Sequence, residues 1–312
     1  MVDLSVSIVS YRTPRLLRDC LIALAAEHGR LDLEVSVVDN ASGDGSADMV
    51  QQHFPSVRLL RNTSNRGFGA AHNQALRQAR GRYLLVLNSD AIVLPAALER
   101  MVGYLDDHGD VGVVGPRLLY PDGRPQPSMR RFPALPTLLM ESTQVQRFWP
   151  ANHVLRRYYA HDLSPDAEHA VDWLVGACLC VRAAAAAEVG LFDERYFMYS
   201  EELDWCRRFR ASGWRVVYLP TAVVQHRESA SASQDLAARD ARFQLSKLAY
   251  AERWHGRRAS RLLRAYLALE YLGRGLEESV KFSLGSHREE RRDRLRLIAS
   301  SLQHVVAQRP VR

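Results

Sequence analysis

The 312-residue chain is poor in cysteine, and its four cysteines, Cys20, Cys178, Cys180 and Cys206, form no C-x-x-C pair. That excludes a zinc knuckle and a disulfide framework as organising devices and points to a reducing, cytoplasmic setting. No apolar run approaches the length of about 18 residues that a membrane-crossing helix requires. The first residues, MVDLSVSIVSY, carry no basic stretch and pass directly into a strand pattern, so no signal peptide is expected. Glycine is missing after that strand, where SYRTPRLL stands. A dinucleotide site needs glycines there and an acid about 20 residues later. GFGAAH (67–72) approaches the fingerprint, but it ends on His72, and Asp39 precedes it. The missing glycines also argue against a nucleotidyltransferase loop. No stacking motif accompanies the basic residues, so nucleic acid is not an expected partner. No internal repeat and no long low-complexity segment is present.

What is there is an alternation of strand and helix patterns. VSIVSY (6–11), EVSVVDN (34–40), VRLLRN (57–62), YLLVLNSD (83–90) and VGVVGPRLL (111–119) read as strands. Between them lie helices that begin at Pro14, Ser46, the turn NRGFG (65–69) and Pro95, with Gly81 ending the third. The pattern predicts an α/β layer with a mostly parallel, Rossmann-like sheet flanked by helices. Residues 120–170 are rich in Pro, Arg and aromatics and predict a long flap with short helices. VDWLVGACLCVRAAAAAEVG (171–190) restores a strand and an Ala-rich helix, SEELDWCRRFRASGW (200–214) a helix, and WRVVYLPTAVVQH (214–226) one or two strands. The expected division is a catalytic domain over 1–236 and a basic helical extension over 237–312.

In an open α/β sheet, ligands sit beyond the carboxyl ends of the strands. Those ends are Ser10-Tyr11, Asp39-Asn40, Asn62 to Asn65, and Asn88-Ser89-Asp90, all polar. Single polar residues after strands are ordinary turn formers, but four such ends together point to a ligand. Asp90 interrupts the apolar run LLVLNSDAIVL (84–94), and an isolated buried carboxylate is costly unless paired or metal-bound. A nucleotide site answers this. Asp39 would accept from base or ribose, Gly67 and Gly69 would let backbone approach the ligand, and Asp90 would hold a divalent cation on a diphosphate.

The blocks VSIVSYRTPRLLRDCLIAL, VVDNASGDGS, NRGFGAAHNQAL, LLVLNSDAIV, WLVGACLCVRAAAAAEVGLFDERYFMYSEELDWCRRFRASGWRVVYLP and VVQH together resemble family 2 glycosyltransferases, and most of all bacterial polysaccharide rhamnosyltransferases. The resemblance spans about Val6 to His226. It implies a GT-A fold, a nucleotide-diphospho-sugar donor and inversion at the anomeric carbon. By position, Tyr11, Asp39, Asn65 and Asn73 would line the nucleoside pocket, beside Ser10 and Gly67. Asn88-Ser89-Asp90 takes the place of the D-x-D motif, with Asn for the first acid. Asp90 would then be the main protein carboxylate for Mg²⁺ or Mn²⁺, with His226 approaching the metal and Arg227 the leaving diphosphate. Trp173, Gly176 and Ala177 match the part that faces the acceptor. Glu201-Glu202-Leu203-Asp204 stands where Glu-Asp-x-Asp is common, which implies Glu202 as general base, assisted by Glu201. On residues alone, the same acids would serve as helix N-terminal charges. dTDP-L-rhamnose is the donor that the branch suggests and a UDP-hexose the alternative. The acceptor would be a cell-surface glycan or a polyprenyl-diphosphate-linked one. A nucleotidyltransferase or a non-catalytic sugar-nucleotide-binding protein are the rival readings.

The net charge of +7 is uneven: residues 247–312 carry +8 and residues 1–246 carry −1. Within that extension Leu262, Leu263, Tyr266, Leu267, Leu269 and Leu272 recur at helical spacing among arginines. Two readings stand: a helical pair packed on the core, or a basic amphipathic surface on the anionic inner face of the plasma membrane. Oligomeric state is not legible.

Overall fold

A computed structural model describes residues 2–27, 31–227, 236–285 and 287–307, with the side chains of 236–238 left aside. The expected domain boundary at 236 adjoins 228–235, which lie outside the described residues. The first half runs β1 (Leu4–Ser10), α1 (Pro14–Ala26), β2 (Leu33–Asp39), α2 (Ser46–His53), β3 (Arg58–Arg61), α3 (Phe68–Leu76), β4 (Tyr83–Asn88), β5 (Ala91–Val93), α4 (Ala97–Asp107) and β6 (Val111–Leu119). Next come β7 (Pro125–Gln126), β8 (Met129–Arg130), α5 (Leu135–Met140), α6 (Gln144–Phe148), α7 (His153–Tyr158), β9 (His169–Val171), β10 (Trp173–Leu174) and β11 (Cys178–Arg182). The chain continues with α8 (Ala183–Val189), α9 (Glu201–Ala211), β12 (Arg215–His226), α10 (Leu236–Ser283) and α11 (Arg288–Ala307).

Two compact units form. The first holds Met1–Phe132, Tyr159–Phe197 and Glu201–Ser231; the second holds Pro133–Tyr158, Met198–Ser200 and Ala232–Arg312. Residues 133–158 of the predicted flap are thus grouped with the C-terminal helices, whereas 120–132 and 159–170 belong to the sheet unit.

In the first unit the main path of the sheet is β3-β2-β1-β4-β11-β6-β12-β5. Pairing is parallel from β3 to β4 and between β6 and β12, and antiparallel around β11. Strands β1 and β4 are buried along almost their whole length, β4 with an apolar run and β1 with Ser5 and Ser7 set between apolar residues, as central strands covered on both faces must be. Leu17, Cys20, Leu21 and Leu24 of α1 seal one face. The polar residues at the ends of β1, β2 and β4 therefore gather along one edge of a rigid layer. β12 runs unbroken from Arg215 to His226, with its register shifting between Leu219 and Val223. Pro220 lies in that shift, since it has no N–H for the ladder. One expectation fails: α3 ends at Leu76, so Gly81 is not its C-terminal cap. A Cβ at Gly81 would lie 2.6 Å from the Ser5 amide nitrogen, and close backbone approach is what requires glycine there.

In the second unit α10, kinked at Gly256 (φ 89°), packs on α11. Leu263, Leu267 and Tyr271 are buried, while Leu262, Leu269, Leu272, Leu276, Val280 and Leu284 stay exposed. The buried and exposed apolar residues thus separate along this helix. Lys247 is buried, donates to the Glu141 carbonyl at 2.6 Å, and is pushed down to about 8 by burial. Among the described residues no helix is long and apolar enough to cross a membrane.

Candidate functional site

The end of β4 explains the carboxylate in the apolar run. Asn88, Ser89 and Asp90 form the step from β4 to β5, and β5 pairs antiparallel with β12 so that His226 stands opposite Ala91. Asp90 Oδ1 lies 3.3 Å from His226 Nε2, and Asn88 Nδ2 lies 3.2 Å from the same nitrogen. Both partners are buried, at 9% and 6% side-chain exposure. The Asp90 carbonyl accepts from the Arg227 amide at 3.0 Å, while the Arg227 side chain is exposed. Ser89 Oγ bonds Thr13 Oγ1 at 2.9 Å, which in turn lies 3.4 Å from Ser10 Oγ. A chain of hydroxyls thus locks the β1 and β4 ends together. Beneath it, Cys20 donates to the Asn88 carbonyl, and burial pushes its thiol far up, so it packs and does not react.

His226 Nδ1 lies 3.0 Å from Gln126 Oε1. An amide oxygen only accepts, so Nδ1 carries hydrogen and a neutral ring turns its Nε2 lone pair to Asp90. Asn88 Nδ2 donates to that lone pair, and the Asp90 carboxylate faces the same edge of the ring. Asn88 Oδ1 is buried without a hydrogen-bond partner. Among the described residues no three His, Cys, Asp or Glu side chains cluster as a metal site. A carboxylate, an imidazole and an orphaned amide oxygen nonetheless fit a hard cation that draws its other ligands from phosphate and water.

Asp39 ends β2 buried. Its Oδ2 accepts from the Ser42 amide at 3.4 Å, and Oδ1 is unpartnered. Next to it, Asn40 uses all four hydrogen-bonding positions: Nδ2 donates to Asn65 Oδ1 and the Gly67 carbonyl, and Oδ1 accepts from Asn62 Nδ2 and the Arg66 amide. This residue, counted with Asp39 among the polar strand ends, builds the loop before α3. Its signal in sequence is only its place beside Asp39. Asn65 Oδ1 also accepts from the Gly67 amide, so Asn65 shapes the turn. At Gly67 (φ +84°) a Cβ would lie 2.2 Å from the Phe197 carbonyl oxygen, which no other residue permits. Asn73 faces elsewhere than a nucleoside pocket would require: Nδ2 donates to the Phe192 carbonyl and Glu194, and Oδ1 accepts from the Phe192 amide. It braces α3 against residues 192–194. Tyr11 is partly exposed beside Asp39's strand, with the Arg12 guanidinium 5.1 Å from its ring centre.

The second pole of the site is the first turn of α9. Two consecutive left-handed residues, Tyr199 (φ 72°) and Ser200 (φ 64°), aim the chain into the helix. Strain of this kind persists where the surroundings impose it. Glu201 is buried and Glu202 partly exposed, and each has one carboxylate oxygen that is buried and unpartnered. Burial raises both carboxyls. Glu201 is raised well above the usual range, burial adding to the charge of Glu202. Glu202 is eased back by backbone N–H groups at Glu202, Gly176 and Leu203 and by the Arg130 charge. Burial thus disfavours charge on both acids, and the backbone N–H groups and Arg130 favour charge on Glu202. A Cβ on Gly176 would come within 3.3 Å of Glu202 Cβ and Cγ, so the glycine makes room for the acid. Asp204 is different: its carboxylate binds Arg208 Nε at 2.9 Å in the core. Trp173 is buried and donates Nε1 to the Arg131 carbonyl at 3.0 Å, while Ala177 is buried and its carbonyl accepts from the Asn88 amide.

A pair of acidic side chains at one pole and a carboxylate–imidazole pair at the other suit transfer between a hydroxyl and an anionic leaving group. Residues 5–164 match the sequence model of Glycosyl transferase family 2. An N-acetylglucosaminyl-diphospho-decaprenol L-rhamnosyltransferase from Mycobacterium tuberculosis is 34% identical over 228 residues, covering 70% of this chain and 73% of its own. The mannosyltransferase PcManGT from Pyrobaculum calidifontis, solved with GDP-Man and Mn²⁺, superposes with TM-score 0.57 at 18% identity over 98% of this chain and 87% of its own. GalNAc-T7 with UDP, GalNAc and Mn²⁺ gives TM-score 0.58 at 13% identity, over 99% and 56%. With that match over half its length and the mycobacterial relative over more than two thirds, the chain belongs to glycosyl transferase family 2, as a glycosyltransferase of GT-A fold.

Proposed function

We propose that the protein transfers a sugar from a nucleotide-diphospho-sugar, dTDP-L-rhamnose first among candidates, to a hydroxyl of a polyprenyl-diphosphate-linked glycan, with inversion. The observation that carries this is the pairing of a buried Asp90–His226 couple with a Glu201–Glu202 pair in one GT-A unit. The mycobacterial relative's rhamnosyl transfer to a diphospho-decaprenol sugar supports the choice of donor and acceptor. Asp39 and Tyr11 lie at the strand ends that receive the nucleoside, and Arg227 flanks the diphosphate. Asp90, His226 and the amide oxygen of Asn88 would hold Mg²⁺ or Mn²⁺, and the cation would supply positive charge for the departing nucleoside diphosphate. Glu202 takes the proton of the acceptor hydroxyl. The acceptor oxygen bonds to the anomeric carbon as the carbon–oxygen bond to the phosphate breaks, and the diphosphate leaves with the electron pair. Burial of Glu201 disfavours a second charge beside Glu202.

The test is a donor panel of dTDP-rhamnose, UDP-glucose, UDP-galactose, UDP-N-acetylglucosamine and GDP-mannose, titrated with Mg²⁺ or Mn²⁺ and again with EDTA. Metal-dependent binding of dTDP-rhamnose alone supports the reading. Selective binding of a UDP-hexose replaces the donor, and binding of none removes the catalytic assignment.

A lipid-linked acceptor brings the enzyme to a membrane surface. The exposed leucines of α10, the exposed Phe148 and Trp149, and the basic excess of the extension favour contact with anionic lipid. The protein is expected to sediment with phosphatidylglycerol vesicles at low salt, to be released as salt screens the charge, and to lose binding when Leu269 and Leu276 are both changed to Ser. Absence of sedimentation at low salt ends this reading.

A further inference from the structure

The segment after β6 supplies a residue to each pole of the site. Gln126, Ser128 and Arg130 occupy alternate positions, and residues two apart in extended chain share a face. Gln126 orients His226. At the other end, β8 pairs with β10, with Arg130 opposite Trp173, and the Val175 amide donates to the Ser128 carbonyl at 3.1 Å. One residue further on is Gly176, whose backbone N–H binds Glu202. Arg130 and Ser128 are therefore anchored beside the base, on a small sheet separate from the strand ends that face the nucleotide.

Arg130 is partly exposed, and among the described residues no carboxylate lies within ion-pair distance of it. Its guanidinium stands 4.9 Å from the centre of the Tyr159 ring, and one Nη donates to the Met129 carbonyl. The neighbouring Arg131, by contrast, is paired with Asp162 through both terminal nitrogens. Ser128 is 4% exposed and its hydroxyl has no partner. A stacked guanidinium that bonds no carboxylate directly, near an unsatisfied buried hydroxyl two residues earlier in the chain, is a site for a phosphate oxygen.

We propose that Arg130 and Ser128 form a subsite for the acceptor's own diphosphate, distinct from the donor diphosphate at Asp90, His226 and Arg227. This rests on the reading of the acceptor as a diphosphate-linked sugar. Anchoring that diphosphate at Arg130 would present the sugar hydroxyls to Glu202 and let the enzyme discriminate against glycosides without phosphate.

The experiment compares two acceptors, N-acetylglucosaminyl-diphospho-undecane and the neutral undecyl N-acetylglucosaminide, in the full-length protein, Arg130→Gln and Ser128→Ala. A lost charge-assisted hydrogen bond of about 1.5–3 kcal/mol is a roughly 10- to 150-fold effect. In Arg130→Gln, kcat/KM for the diphosphate acceptor is expected to fall by about that factor. Because the Arg130 charge also bears on Glu202, transfer to the neutral glycoside falls too, but the loss on the diphosphate acceptor exceeds it about tenfold, affinity for the donor nucleotide stays within about threefold of the parent, and Arg130→Lys recovers part of the diphosphate-specific loss. Ser128→Ala is expected to lose about three- to tenfold on the diphosphate acceptor alone. Equal losses on both acceptors, or a loss of nucleotide affinity, overturn the subsite. If neither glycoside accepts sugar, the acceptor sugar is wrongly chosen. Direct binding of dodecyl diphosphate then decides: weakened binding in Arg130→Gln supports the subsite, and unchanged binding removes it.

Discussion

Glu202→Gln is expected to lower kcat by about two to four orders of magnitude, the range a positioned general base supplies, while donor affinity stays within about twofold. Glutamine keeps the length of the side chain and its contact with Gly176, so loss of the proton acceptor is the change that matters. Glu201→Gln should be milder, because a neutral amide suits a position where burial disfavours charge. The acid limb of the pH profile should lie above the ordinary glutamate value of about 4.3, since burial raises Glu202 and the base acts only when ionised. Stability should move the opposite way. The native state holds its glutamate proton where the unfolded chain has released it, so stability falls as pH rises above the unfolded value. Glu201→Gln removes that cost and should raise Tm at neutral pH, by about 2–4 °C for each kcal/mol relieved. Full transfer activity in Glu202→Gln would falsify the assignment of the base. A large loss in Glu201→Gln with little effect in Glu202→Gln would exchange the two roles.

The sheet was legible because its strands are continuous apolar runs that end on polar residues. The same rule that orders an open α/β layer puts Asp39, Asn88 and Asp90 at one edge. The two poles were legible as residues, but their internal logic was not. Gln126 and Arg130 lie in a Pro- and Arg-rich stretch whose short strands have no periodicity to read, and only the ladder to β10 and the bond to His226 give them a place. Asn73 misled for the opposite reason: its position in the α3 block suggested ligand contact, but the helix turns its amide to residues 192–194. Asp204 shows how spacing divides one acidic cluster. It sits two positions beyond Glu202 on a helix, hence on another face, and the core pairs it with Arg208. Gly81 looked like a helix stop because the sequence cannot show that the Ser5 backbone passes so close.

Asp90→Ala is the second change with a large expected effect. On the proposed metal assignment it deletes the carboxylate that faces His226 and would leave an imidazole and an amide, too few strong ligands for a hard cation outside the diphosphate. Mn²⁺-supported donor binding should fall by two orders of magnitude or more, as charge-paired binding groups commonly contribute, and transfer should fall with it. Binding of the free nucleoside, which needs Asp39 and Tyr11 but no metal, should survive. Gln126→Leu gives the graded counterpart. Every metal-directed side chain is kept, but the imidazole loses the acceptor that fixes its tautomer, an outer-shell change that typically costs 10- to 100-fold in metal affinity. Electron paramagnetic resonance of Mn²⁺ titrated into the nucleotide complex reads both changes without turnover. Nitrogen chemical shifts of His226 in the metal-free protein report the tautomer directly. An Nδ1–H ring in the parent that becomes a mixture in Gln126→Leu is the expected result. Parent-like Mn²⁺ binding in Asp90→Ala would move the cation away from β4, and the carboxylate in the apolar run would then be explained by its pairing with His226 alone.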